Sequence, residues 1–372
     1  MKYYLIAGEA SGDLHASNLM KEIKVLDSNA QFRYWGGELM EAQGGTLVKH
    51  YRELAFMGFL EVVLNLSTIL KNISFCKKDI EQFQPDVLIF IDYPGFNMRI
   101  AKWAKLKGIP THYYISPQIW AWKENRIKQI KRDVDAMYVI LPFEKDFYEN
   151  KHHFQVHFVG HPLIDAISNR QPTDPNAFKK ELQMDERPII ALLPGSRKQE
   201  IKVMLSVMLS VVDDFPDYQF VIAGAPNQDE AFYRQFIKKE NVHLLLNRTY
   251  DLLSVSYAAL VTSGTATLET ALFKVPEVVC YKGSRISYEI AKRVIKLNYI
   301  SLVNLILNKP AVTELIQTEF NTKRLKAELI NILDDYKRAT MFLDYYDLEK
   351  LLGGKGASKK TAELIVNSFK RN

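Results

Sequence analysis

The stretch KYYLIAGEASGDLHASNLMKEIKVL, residues 2–26, decides how the rest of the chain is read. Residues 3–7 form a short, unbroken apolar run of strand length. Residues 8–13 make a glycine-containing turn, and residues 14–26 repeat apolar side chains at helical spacing. Strand, tight turn, helix is the opening of a βαβ unit. The same alternation continues outward, with strands predicted at 32–35, 87–91, 111–115 and 136–141 and helices at 96–107 and 125–132. Apolar runs without polar alternation belong to strands covered on both faces, which predicts a parallel, Rossmann-like sheet.

The composition then changes. Residues 168–187 bring Ser168, Asn169, Arg170, Gln171, Pro172, Thr173, Asp174 and Pro175 and then a short charged helix, as a domain boundary would. A second βα series comes next, with strands at 189–193, 219–223, 243–246, 258–261 and 278–280. The reading is therefore α/β, with one Rossmann-like lobe over residues 1–170 and a second over 171–335. From Asn321 onward the pattern is helical. Residues 336–372 are expected to pack back on the first lobe or to exchange with a second copy in a homodimer, Ser358 opening the last helix after Gly353, Gly354 and Gly356. Ligands of such sheets bind outside the carboxyl ends of the strands, so two facing lobes would hold a substrate in the cleft between them.

At 372 residues, 47% hydrophobic and 25% charged, the chain is an ordinary globular protein, which excludes disordered, collagen-like and disulfide-scaffold classes. A net charge of +6 suits a phosphorylated substrate or an anionic membrane surface and does not demand nucleic acid. Cys76 and Cys280 are too far apart in sequence for a zinc knuckle, and residues 1–7 lack the pattern of a signal peptide; a cytoplasmic protein is expected. Glu61 and Lys71 interrupt the most apolar run, so any membrane contact would be peripheral.

Four strand ends carry candidate chemistry. The turn Gly8-Glu9-Ala10-Ser11-Gly12-Asp13 can bring backbone N–H groups to an anion, but G-x-G-x-x-G is absent and its two acids would repel a dinucleotide pyrophosphate; a plain strand-to-helix turn is the alternative. Asp92, ending the strand 87–91, is either a general base for an acceptor hydroxyl or the cap of the next helix. In Pro194-Gly195-Ser196-Arg197, Arg197 either clamps a phosphate or pairs with Glu200. Ser263-Gly264-Thr265 sets small residues at a helix N-terminus, where a pyrophosphate could approach, with Glu269 one turn in to accept from ribose hydroxyls. Asp133-Val134-Asp135 imitates a metal-binding pair but opens a strand and is read as structural. No histidine spacing matches a metal site, so neither metal nor cofactor is expected.

The helical stretch after Gly58 carries Phe59, Val62, Val63, Leu66, Ile69, Leu70 and Ile73, with Lys71, Lys77 and Lys78 beyond it. Trp120 and Trp122 adjoin a second basic segment with Lys123, Arg126, Lys128, Lys131 and Arg132. Apolar anchors with basic rims suit an anionic bilayer or acyl chains; an interior helix beside a solvated charged face is the alternative.

Together these residues resemble the lipid-A-disaccharide synthase family. The resemblance rests on the 8–13 turn, Met57-Gly58-Phe59-Leu60-Glu61-Val62, Ser116-Pro117-Gln118-Ile119-Trp120-Ala121-Trp122 and Leu141-Pro142-Phe143-Glu144. It rests equally on Val159-Gly160-His161-Pro162, Leu193-Pro194-Gly195-Ser196-Arg197, residues 263–269 and Ser301-Leu302-Val303-Asn304-Leu305. It implies a two-lobed GT-B fold and an inverting, metal-independent transfer of diacylglucosamine from its UDP derivative to the 6-hydroxyl of diacylglucosamine 1-phosphate. It also implies a place at the cytoplasmic surface of the inner membrane, Asp92 and Arg197 as essential residues, and Glu9 and Asn304 as further polar positions. Many relatives carry a second acid where this chain has Gly95, which leaves Asp92 as the sole base in its segment. Two other readings remain: a UDP-sugar protein of the same architecture, such as a peptidoglycan N-acetylglucosaminyltransferase or a non-hydrolysing epimerase, and a membrane-binding protein without catalysis.

Overall fold

The computed structural model describes residues 1–54, 66–226, 228–283 and 298–370. The chain forms two compact units, Met1–Ser168 with Leu352–Asn372, and Asn169–Leu351.

In the first unit, β1 (Lys2–Ala7), α1 (Ala10–Leu26), β2 (Gln31–Gly36), α2 (Glu38–Glu41) and β3 (Thr46–His50) are followed by α3 (Leu66–Phe83), β4 (Val87–Ile91) and α4 (Pro94–Leu106). Then come β5 (Thr111–Tyr114), α5 (Ile127–Asp133), β6 (Ala136–Val139), α6 (Pro142–Asp146), β7 (His157–Phe158) and α7 (Pro162–Ser168). The seven strands are parallel in the order β3-β2-β1-β4-β5-β6-β7. Tyr3 to Ala7 and all of β4 are buried because helices cover both faces. Polar side chains lock α3 onto this sheet. Tyr4 Oη and the Arg33 fork both donate to the buried Asp79 carboxylate, and Trp35 Nε1 donates to Tyr4 Oη at 2.9 Å. A carboxylate out of water survives only with such partners.

The second unit holds α8 (Pro175–Glu181), β8 (Ile189–Leu193), α9 (Lys198–Met208), β9 (Gln219–Gly224), α10 (Glu230–Arg234), β10 (Val242–Leu246) and α11 (Thr249–Val255). It continues through β11 (Ala258–Thr262), α12 (Thr265–Leu272), β12 (Glu277–Tyr281), α13 (Leu302–Leu307), β13 (Thr313–Ile316), α14 (Thr322–Leu333) and α15 (Asp335–Leu351). Its parallel sheet runs β10-β9-β8-β11-β12-β13.

The last helix, α16 (Ala357–Lys370), returns to the first unit and packs on α1. The first part of its inner face, Ala357, Ser358, Thr361 and Ala362, is made of small residues that let the two helices approach closely, and Ile365 and Val366 continue the buried face. Asp165 accepts from the N–H groups of Gly356 (2.6 Å) and Ser358 (2.9 Å), which caps the helix, and Leu352 O accepts from His161 N at 2.9 Å. The sequence pattern placed the start of the returning segment at residue 336. In the structure α15 packs on α13 and α14 of the second unit, and the chain changes unit at Leu352.

Candidate functional site

In each sheet the strand order reverses at one place, where the crossovers leave in opposite directions and open a crevice at the carboxyl ends. In the first unit that place lies between β1 and β4, which pair as Ile6↔Phe90 and Ala7↔Ile91. In the second it lies between β8 and β11, paired as Val261↔Leu193. The residues just beyond these four strands are Glu9, Asp92, Arg197 and Ser263, so the four singled-out turns fall on the two switch points.

Asp92 stands on a strained backbone that is tied down from both sides. Its φ is +44° and that of Tyr93 is +50°, in the left-handed region that side chains rarely adopt. Its N–H donates to Tyr114 O at 3.1 Å, and its carbonyl accepts from Tyr113 Oη at 2.6 Å and from the buried Asn97 Nδ2 at 2.7 Å. The backbone that carries the carboxylate is thereby fixed. Burial pushes this carboxyl up to about 6; negative charge on Glu9 and Glu144 adds to the shift and the Tyr93 N–H opposes it. The Asp92 side chain does not cap α4, whose N-cap position belongs to Tyr93.

Across the same end of the sheet, α1 begins at Ala10, four residues earlier than its apolar periodicity indicated, so Ser11 and Gly12 lie in its first turn. Glu9 and Ser11 are exposed. Gly8 lies under the Tyr93 ring, where a Cβ would come within 2.4 Å. Gly12 is buried, with space for a Cβ limited to 3.2 Å by Ala7, which allows close helix-to-strand packing. Asp13 is buried and accepts from the N–H groups of Gly37, Leu39 and Met40.

In the second unit Arg197 is the N-cap residue of α9, exposed and, among the described residues, in no ion pair; Glu200 is drawn over Gly195 instead. Gly195 needs its φ of +97°, and a Cβ there would lie 2.4 Å from Glu200 Oε2. Ser196 is exposed beside Arg197. Gly264 and Thr265 open α12, whose first N–H groups lack intrahelical partners, and Ser263 Oγ donates to Ile300 O at 3.1 Å. Glu269 is held by Tyr250 Oη at 2.8 Å, and burial raises its carboxyl. Asn304 is buried, with Nδ2 donating to Val312 O and Glu314 Oε1 and Oδ1 accepting from Val312 N, all at 2.9 Å. Glu314 also accepts from the N–H groups of Ile300 and Ser301, so Asn304 and Glu314 brace the turn against which Ser263 rests.

The apolar stretch divides. Phe59, Val62 and Val63 lie outside the described residues, and Leu66 opens α3. Ile69 is partly buried and packs against the core on the helix face shared with Ile73, Cys76 and Ile80. Leu70 and Phe75 are 56% and 48% exposed. No described helix is long and apolar enough to cross a membrane. Asp133 and Asp135 are tied to Arg132, Lys105 and Thr111, as a structural role requires.

One residue was not singled out from the sequence. Glu144 is 1% exposed, and its carboxylate accepts from Ser116 Oγ (2.5 Å), Trp120 Nε1 (3.2 Å), Ile140 N (3.1 Å) and Leu141 N (2.9 Å). It joins the motif 116–122 to the motif 141–144. Burial holds its carboxyl above the usual range against these four donors.

Two doubly wound parallel sheets of this order define a protein of the GT-B architecture, the class of two-lobed glycosyltransferases and UDP-sugar epimerases. Solved structures agree on the fold. UDP-GlcNAc 2-epimerase from Neisseria meningitidis, bound to UDP-GlcNAc, superposes with a TM-score of 0.68 at 15% identity, covering all of both chains. The calicheamicin glycosyltransferase CalG4 gives 0.59 at 14% identity over 100% of this chain and 98% of its own. A family model described as lipid-A-disaccharide synthetase matches residues 3–367. Lipid-A-disaccharide synthases of Syntrophus aciditrophicus (38% identical, 99% of this chain and 98% of theirs) and Coxiella burnetii (36%, 98% and 97%) match nearly end to end. The chain belongs to the lipid-A-disaccharide synthase family, enzymes that carry out the disaccharide-forming step of lipid A biosynthesis.

Proposed function

We propose that this enzyme transfers diacylglucosamine from its UDP derivative to the 6-hydroxyl of diacylglucosamine 1-phosphate, with inversion and without a metal. Asp92 takes the acceptor proton while the hydroxyl attacks the anomeric carbon in line. The bond from that carbon to the diphosphate breaks, and its electron pair leaves with UDP. Arg197, with N–H groups around Ser196 and the Ser263–Gly264–Thr265 turn, receives the developing diphosphate charge, and Glu269 accepts from the ribose hydroxyls. Glu9 and Ser11 line the acceptor side.

The observation that carries this reading is the Asp92 carboxyl, tuned to about 6 on a backbone bonded from both sides. Such a group is largely ionised at neutral pH yet basic enough to accept a proton in the transition state. The exposed Leu70 and Phe75, with Lys71 and Lys78 beside them, support peripheral association with the anionic cytoplasmic face of the inner membrane. The test is an assay in EDTA with both lipid substrates, following UDP release and product mass. Disaccharide 1-phosphate formed in step with UDP is expected. UDP without disaccharide would mean another acceptor, and a UDP-sugar altered at C2 would mean an epimerase.

A further inference from the structure

The loop after β5 is built to hold one shape. Ile115 has a φ of +65°, a costly conformation for a β-branched residue, directly before Ser116. Glu144 bonds to the side chains of both Ser116 and Trp120. Ile119 is 2% exposed in the core, Tyr148 Oη donates to Pro117 O at 3.2 Å, and Trp120 meets Phe143 edge-on at 4.8 Å. A carboxylate buried to fix a surface loop gives the side chains farther along that loop a defined position.

The first of these is Trp122, 47% exposed, with Lys123 Nζ 4.3 Å and Arg126 Cζ 6.0 Å from its ring centroid. Lys123 is itself in the left-handed region at φ +58°. Among the described residues neither cation pairs with a carboxylate. Glu124, between them in sequence, is taken by Lys151 at 2.7 Å and His152 at 2.9 Å. Two cations held against one indole and left without a counter-ion are arranged for an anion from outside.

Their position identifies that anion. β5 is the neighbour of β4, and Tyr113 at its end donates to the Asp92 carbonyl. Burial raises the Tyr113 hydroxyl, the Asp92 charge adds to the shift and the Arg126 charge opposes it, so both charges lie within electrostatic reach of one phenol. On the transfer reading above, an acceptor whose hydroxyl meets Asp92 carries its phosphate across one sugar ring. We propose that Lys123 and Arg126, on the Trp122 platform, form the subsite that holds the phosphomonoester of the acceptor, with Glu144 as the positioning residue of the loop. This inference rests on that transfer reading. The same chemistry would also hold a lipid headgroup phosphate, but the adjacency to Asp92 favours the acceptor.

The test compares diacylglucosamine 1-phosphate with dephosphorylated diacylglucosamine as acceptor, in detergent micelles without anionic lipid. For Arg126→Gln and Lys123→Gln the ratio of kcat/KM between the two acceptors falls roughly ten- to a hundredfold, the worth of a charge-assisted hydrogen bond. Arg126→Lys keeps part of it, and Lys131→Gln, an exposed cation on α5, keeps all of it. Glu144→Gln lowers the same ratio while leaving the KM for the UDP-sugar in place. Equal losses with both acceptors would overturn the subsite and make these residues merely structural. An unchanged ratio with lost binding to anionic vesicles would also overturn it, assigning the patch to headgroups. Binding of the phosphorylated acceptor alone, followed by tryptophan fluorescence, is expected to weaken in Arg126→Gln whether or not disaccharide forms. That measurement separates failure of the subsite from failure of the transfer reading.

Discussion

Asp92→Asn is expected to make the enzyme slower and its first unit more stable, and the two effects have one cause. Raising a carboxyl from 3.8 to about 6 means that ionising it in the folded unit costs about 2–3 kcal/mol more than in the unfolded chain. Between about pH 4 and 6 the folded state binds more protons than the unfolded state, so wild-type stability falls as pH rises through that window. Asparagine carries no charge and still offers an oxygen to the Tyr93 N–H. The variant therefore matches the wild type near pH 4 and exceeds it by about 2–3 kcal/mol above pH 7. Turnover falls by roughly a hundredfold to ten-thousandfold, the contribution of a positioned base. In the wild type kcat/KM rises with pH through about 6 and then levels. Trp35, Trp103, Trp120 and Trp122 all lie in the first unit, so urea unfolding followed by tryptophan fluorescence reports that unit alone. No stability gain at pH 8 over pH 4.5 would refute the buried-charge reasoning, and near-normal turnover would move the base elsewhere.

Arg197→Ala should weaken UDP binding by roughly ten- to a hundredfold, with unfolding changed by less than about 0.5 kcal/mol, because the side chain is exposed; unchanged affinity in calorimetry would remove it from the diphosphate site. Gly8→Ala forces the Tyr93 ring aside and Asp92 with it, costing about 1–3 kcal/mol and lowering kcat more than donor affinity; a variant as stable and active as wild type would show that this contact is slack. Asp165→Ala removes the cap of α16, costing about 1–2 kcal/mol, and hydrogen exchange over residues 357–370 should accelerate; unchanged exchange would mean that side-chain packing alone holds the helix.

The buried strands were legible because covering both faces leaves near-continuous apolar runs; 87–91 and 189–193 coincide with β4 and β8. The strands that escaped, β3, β7 and β13, are all sheet edges. Thr46, Lys49 and His50 in β3 and Thr313 and Glu314 in β13 are polar residues that a half-solvated edge tolerates, and such segments resemble loops. The placement of Asp92 and Arg197 beyond strand ends was legible because position after a strand is a property of local sequence. The hydrogen-bond partners of Glu144 and Asn304 were not, because only the fold brings them together. A buried glutamate bonded to Ser116 and an asparagine bonded to Val312 and Glu314 look, in one dimension, like any polar residue of a motif.

The return of α16 to α1 has a consequence for how the molecule is made. The first helix synthesised waits for the last: all of residues 169–351 must leave the ribosome before the groove on α1 is filled. At 5–20 residues per second that interval is roughly 10–40 s. Throughout it the nascent first unit exposes the face that Ala357, Ala362, Ile365 and Val366 will cover. Damage to the 3′ end of the coding sequence would then appear as a defect in the amino-terminal fold, with the second unit left to form by itself.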